Sequence, residues 1–139
     1  MSEILTNKLT GTSTAGSILV TGEGNSTTTN LQQGLAKVWL YAPATVASIS
    51  DSFNISSVDD DGTGLAGMNL TSSMGSANYV TIATHQTTNI ANSSNVRGVA
   101  FHSKSASAME ARAYYFLNDL YTLYEGIQYY NVSADGDLA

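Results

Sequence analysis

The chain has 139 residues, a formal net charge of −6, 12% charged residues and no cysteine. That length suits a single domain able to bury a stabilising core, and the missing thiols exclude disulfides and thiolate metal sites. Its five cations (Lys8, Lys37, Arg97, Lys104, Arg112) are scattered, so nucleic acid and an anionic membrane surface are not expected partners.

About a third of the chain is Ser, Thr or Asn. Residues of that kind suit strand faces and turns, while helix-favouring Glu and Lys are scarce, so the expected class is mainly β. Residues 1–9 hold Glu3 and Lys8 and lack the roughly 7-residue apolar stretch of an export signal. No apolar run approaches the roughly 20 residues that span a bilayer as a helix, and synthesis in the cytoplasm without membrane insertion is the expectation.

Residues 1–34 read as an arm. Ile4, Leu5 and Leu9 are its first apolar anchors, and residues 17–21 (SILVT), with Ile18 and Val20 as further anchors, form a plausible short strand. Residues 22–30 (GEGNSTTTN) are too polar to gain much from burial, which predicts an arm ordered only against a partner.

Residues 35–139 form the expected β-rich head. Residues 37–41 alternate, with Lys37 and Trp39 on one face and Val38 and Leu40 on the other, and Pro43 ends the strand. Residues 49–58 read as one strand, with Ile49, Asp51, Phe53, Ile55 and Ser57 on an apolar, packed face and polar residues opposite. Residues 59–64 (DDDGTG) read as a hairpin turn in which Gly62 takes a positive φ. The partner strand over 64–71 has Leu65 and Leu70 out of phase, which a bulge at Gly67 would reconcile. Further strands are expected at 79–84, 96–102 and 127–132, with a loop after 84 and a polar tail after 132.

Residues 107–125 read two ways. Met109, Ala113, Phe116, Leu117, Leu120 and Tyr124 follow helical spacing, whereas Ala111, Ala113, Tyr115 and Leu117 could line one face of a strand. Periodicity leaves both open.

Catalytic constellations are missing from the sequence. It contains no nucleophile elbow, P-loop or zinc-protease motif, so the chain is not expected to be an enzyme or to carry a cofactor. Asp59, Asp60 and Asp61 are adjacent rather than alternating, and no Glu follows until Glu110, which suits a solvated turn better than a calcium loop. His85 and His102 show no spacing that converges on carboxylates. Tyr114, Tyr121, Tyr124, Tyr129 and Tyr130 are the densest aromatic group, suited to an interaction surface, to a core, or to stacking on sugar rings.

One resemblance adds to this reading. Gly34-Leu35-Ala36-Lys37-Val38-Trp39, the run 51–58 (DSFNISSV), Asp61-Gly62-Thr63-Gly64, Met74 and Ala77-Asn78-Tyr79 stand in the order of a module that this chain resembles. That module occurs in fibre-like structural proteins of tailed bacteriophages, marine ones especially. His102-Ser103-Lys104-Ser105 and the leader residues 29–34 are similar to further parts of it. The resemblance implies an antiparallel β-sandwich-like head with an extended amino-terminal arm, assembled as a homotrimer, and it favours strand over helix near Ala113. It further implies a virion component, most simply a short tail-fibre-like protein touching host surface glycan or protein. Residues 1–34 would attach it to other virion proteins; a capsid decoration protein is the alternative.

Overall fold

The computed structural model describes residues 3–11, 18–21, 28–31, 34–43, 48–86, 96–117, 120–123 and 129–138. Among them there is no helix, and every strand pairing is antiparallel, so the chain is mainly β as its composition predicts. Contacts divide the chain into two compact units, Met1–Leu35 and Ala36–Ala139.

In the first unit, β1 (Leu19–Thr21) pairs with β2 (Thr28–Asn30), and Leu31 N donates to Ile18 O at 2.9 Å. Strand β2 lies in the run expected to stay unordered. Two of its three residues are β-branched threonines, which suit a ladder even where little apolar surface is buried.

The second unit holds two sheets. The four-stranded sheet runs β4 (Asp51–Phe53), β3 (Val38–Pro43), β11 (Tyr129–Asp135), β7 (Val80–Gln86). The five-stranded sheet runs β5 (Ile55–Gly62), β6 (Leu65–Leu70), β9 (Ala108–Leu117), with β8 (Val96–Lys104) on the other edge of β9. Strand β10 (Leu120–Leu123) pairs with the end of β9 beyond β6.

One hydrophobic core joins both sheets. Val38, Leu40 and Ala42 come from β3, and Tyr130, Val132 and Ala134 from β11; Ala66 and Met68 of β6 and Met109, Ala111 and Ala113 of β9 belong to the same cluster. In β3, β9 and β11 the buried side chains alternate, the period that a strand with one packed face imposes. Residues 108–117 and 120–123 are therefore strands, and the helical spacing there is coincidental.

Several local expectations need correction. Residues 49–58 are two strands, not one, because Asn54 adopts φ 62° and sends the chain from the four-stranded to the five-stranded sheet. The Asn54 side chain fixes this corner: Nδ2 donates to Ser72 O at 3.0 Å, and Oδ1 accepts from Ser72 N at 2.7 Å. Phe53, expected in the core, consequently stands 49% exposed.

The bulges fall on β5, where the register shifts between Ile55 and Ser57 and again between Asp60 and Gly62; Gly67 stays in regular register with β9. Asp59, Asp60 and Asp61 lie on β5 rather than in the turn, which reverses at Thr63–Gly64 with Gly62 at φ 123° and Gly64 at φ 68°. The positive φ expected at Gly62 is present. Lys37, placed beside Trp39 on an outer face, is buried, its backbone N–H donating to Ala134 O at 2.8 Å.

At the other end, β11 continues to Asp135, and Met74 bridges to Leu138, so residues expected as a tail close the second unit. Strand β7 takes in His85 and Gln86; the rest of the loop expected after them lies outside the described residues.

Candidate interaction surfaces

Cross-strand pairing places side chains in rows. On the outer face of the five-stranded sheet one row reads Asp59, Gly67, Glu110, Ser103. The missing side chain at Gly67 leaves a groove of about 400 Å³ lined by Asp59, Asp61, Asn69, Glu110 and Ser103, among others. A Cβ on Gly67 would run into the Asp61 carboxylate, so the bulge at Asp61 and the glycine form one local arrangement.

Within this groove Asn69 and Asp59 are bonded to each other, while Glu110 Oε1 is buried without a hydrogen bond among the described residues. Asn69 Nδ2 donates to Asp59 Oδ2 and to Ser57 Oγ (2.9 Å), while Ser56 Oγ donates to Asn69 O at 3.1 Å. His102 Nε2 lies 3.6 Å from Glu110 Oε1. Among the described residues no three His, Cys, Asp or Glu side chains are grouped to hold a metal ion. Chemically the groove offers acceptors and hydroxyls without a nucleophile–base pair in contact.

The outer face of the four-stranded sheet differs in kind. Its central row reads Phe53, Trp39, Ser133, Ile82, and the next reads Asp51, Tyr41, Asn131, Thr84. Trp39 and Phe53 are 39% and 49% exposed, Ile82 and Val80 57% and 63%. Tyr41 and Tyr129 stack with ring centroids 4.7 Å apart and planes 10° apart. The Tyr41 hydroxyl is pushed above the usual phenol range, first by desolvation and then by the charge and hydrogen bond of Tyr129.

The five tyrosines singled out from sequence do not form one surface. Tyr130 is a core residue at 2% exposure, and Tyr129, its neighbour, faces outward. Tyr114 belongs to the other sheet, edge-to-face with Phe116 at 5.6 Å and laid across Gly98. The side chains of Tyr121 and Tyr124 lie outside the described residues.

Of the proposed anchors, Ile4, Leu5, Leu9 and Val20 are exposed and Ile18 is half-buried. His85 sits on β7 opposite Tyr130, its pKa lowered by burial and secondarily by Arg97.

Sequence reasoning missed Trp39, Phe53, Tyr41, Val80 and Ile82 as a shared face. Alternation already put Trp39 opposite Val38 and Leu40. What it lacked was the strand order that brings β4 and β7 beside β3 and β11.

Three of the motif residues, Met74, Tyr79 and Lys104, have structural roles. Met74 is buried, and Tyr79 Oη donates to Ser105 O (2.9 Å) and Ala108 O (3.3 Å), while Lys104 Nζ donates to Tyr79 O and sits 4.9 Å from its ring. Compared with protein-family models, with curated proteins and with solved structures, the chain matches none.

Proposed function

We propose that this chain is a non-enzymatic structural protein of a phage virion, a short tail-fibre-like component with a homotrimeric, β-sandwich-like head. Residues 1–34 attach it to other virion proteins, and the exposed head contacts host surface glycan or protein. The observation that carries the reading is where the motif residues fall. Asn54 turns the chain between sheets, Gly62 takes the positive φ beside the hairpin, and Met74 and Tyr79 are buried anchors. These four positions thus serve to build a β scaffold, and neither outer face presents reactive groups in a catalytic arrangement among the described residues. The exposed apolar residues of the first unit, Ile4 and Leu5 at 88% and 85%, suit burial against a partner.

Gold labelling of the chain in intact particles tests this reading. Label at the tail is the expected result. Label over the whole head would make the chain a capsid decoration protein, and unlabelled particles would remove it from the virion.

A further inference from the structure

We propose that the outer face of the four-stranded sheet is the docking surface for a second copy of this chain. Strand pairing aligns Phe53, Trp39 and Ile82 in one row, with Val80 opposite Asp135 at the sheet's end. With side chains of this size, exposures of 39% to 63% leave on the order of 400 Å² of apolar surface open, as large as the largest patch on a typical monomer. Adding the half-buried Tyr41, Tyr129 and Pro43 and the polar margin brings the face towards the roughly 800 Å² per partner of a stable interface.

Charge permits a copy of the same chain at this face. Each chain carries −6 overall, so two copies repel unless they meet where charge is sparse. This face has that property: its acidic residues are Asp51 on the edge strand and Asp135 at the end of β11. An uncharged aromatic centre inside a polar rim is the composition of protein–protein interfaces, where Trp and Tyr carry most of the binding energy.

Other occupants fit less well. No lysine or arginine stands among the outward positions of the four strands, so an anionic lipid or nucleic acid has nothing to pair with. Tyr41 and Tyr129 spend one ring face each on their mutual stack, which leaves less aromatic face for a sugar to stack on.

The inference deepens the structural reading above by naming a surface for self-assembly, and it fails separately from it, since association in solution is measured without any particle. Trp39 is the single tryptophan, so its fluorescence reports on this face alone. Sedimentation velocity and acrylamide quenching of the full chain, followed on dilution, give mass and Trp39 accessibility together. The expected result is an oligomer with shielded Trp39 that dissociates on dilution as Trp39 becomes quenchable.

Ile82→Lys should weaken association at least tenfold; Thr84→Lys, at an exposed polar position on the same face, should act in the same direction without disturbing packing. A stable monomer at micromolar concentration with accessible Trp39 would overturn the proposal. So would a monomer with shielded Trp39, which would give the face to the chain's own amino-terminal unit, or a monomer whose Trp39 is shielded only by added oligosaccharide. An oligomer whose Trp39 stays quenchable, or whose mass both lysine variants leave unchanged, would place the interface elsewhere and leave the structural-protein reading standing.

Discussion

Asn54 sets the corner at which the chain passes from one sheet to the other. A non-glycine residue at φ 62° costs conformational energy, and its two hydrogen bonds to Ser72 offset that cost. Asn54→Ala removes both bonds and keeps the unfavourable φ, so it should destabilise by about 1–3 kcal/mol. Asn54→Gly, which relieves the φ alone, should recover part of the loss; urea unfolding of the two variants checks the order.

At Gly62 the space is open but the conformation is not. No atom lies within 4 Å of an added Cβ, so the penalty for Gly62→Val comes from φ 123° alone, about 1–3 kcal/mol, and chelator should leave the melting temperature of the native chain unchanged.

His85 gives a pH dependence of definite sign. Burial, and then Arg97, lower its pKa, so the folded state prefers the neutral ring. Its contribution is complete above the unfolded value of about 6.5 and is lost as pH falls through that value towards the depressed folded one. Thermal melts between neutral pH and pH of about 5 should show stability falling with acidity. His85→Gln should flatten that fall.

At the scale of elements, what the sequence reveals and what it hides have a common cause. The alternation of Val38, Leu40 and Ala42 is local, and the structure keeps it. The break at Asn54 is not local: period-2 alternation runs through it undisturbed, and the Ser72 backbone that stabilises the corner lies 18 positions away. Residues 108–117 fit both periods because small and aromatic side chains occupy them; a core of alanines at 111 and 113 becomes recognisable only once β6 and β8 flank them.

The aromatic group divides for a reason the sequence does contain. Adjacent strand residues point to opposite faces, so Tyr129 and Tyr130 could never share a surface. The face around Trp39 stayed hidden because it draws on four strands separated by most of the chain.

The core cluster lies wholly within the second unit, from Val38 to Ala134. Deleting residues 1–30 should therefore leave the head folded, with its melting temperature close to that of the full chain, while the truncated protein should no longer enter particles. Circular dichroism and particle composition check the two halves of that expectation.

For the whole molecule, an acidic chain combines a core shared by two antiparallel sheets with an aromatic outer face and with exposed apolar residues in its first unit, features that suit the proposed contact role. Abundant Ser, Thr and Asn supply hydroxyl and amide groups for water over the rest of the surface. The central claim is that this contact belongs to a virion. Quantitative mass spectrometry of gradient-purified virus particles tests that proposal most directly. The account predicts the protein in particles at a fixed structural copy number that survives high-salt washing. Protein abundant in the infected-cell lysate but missing from purified particles would contradict it.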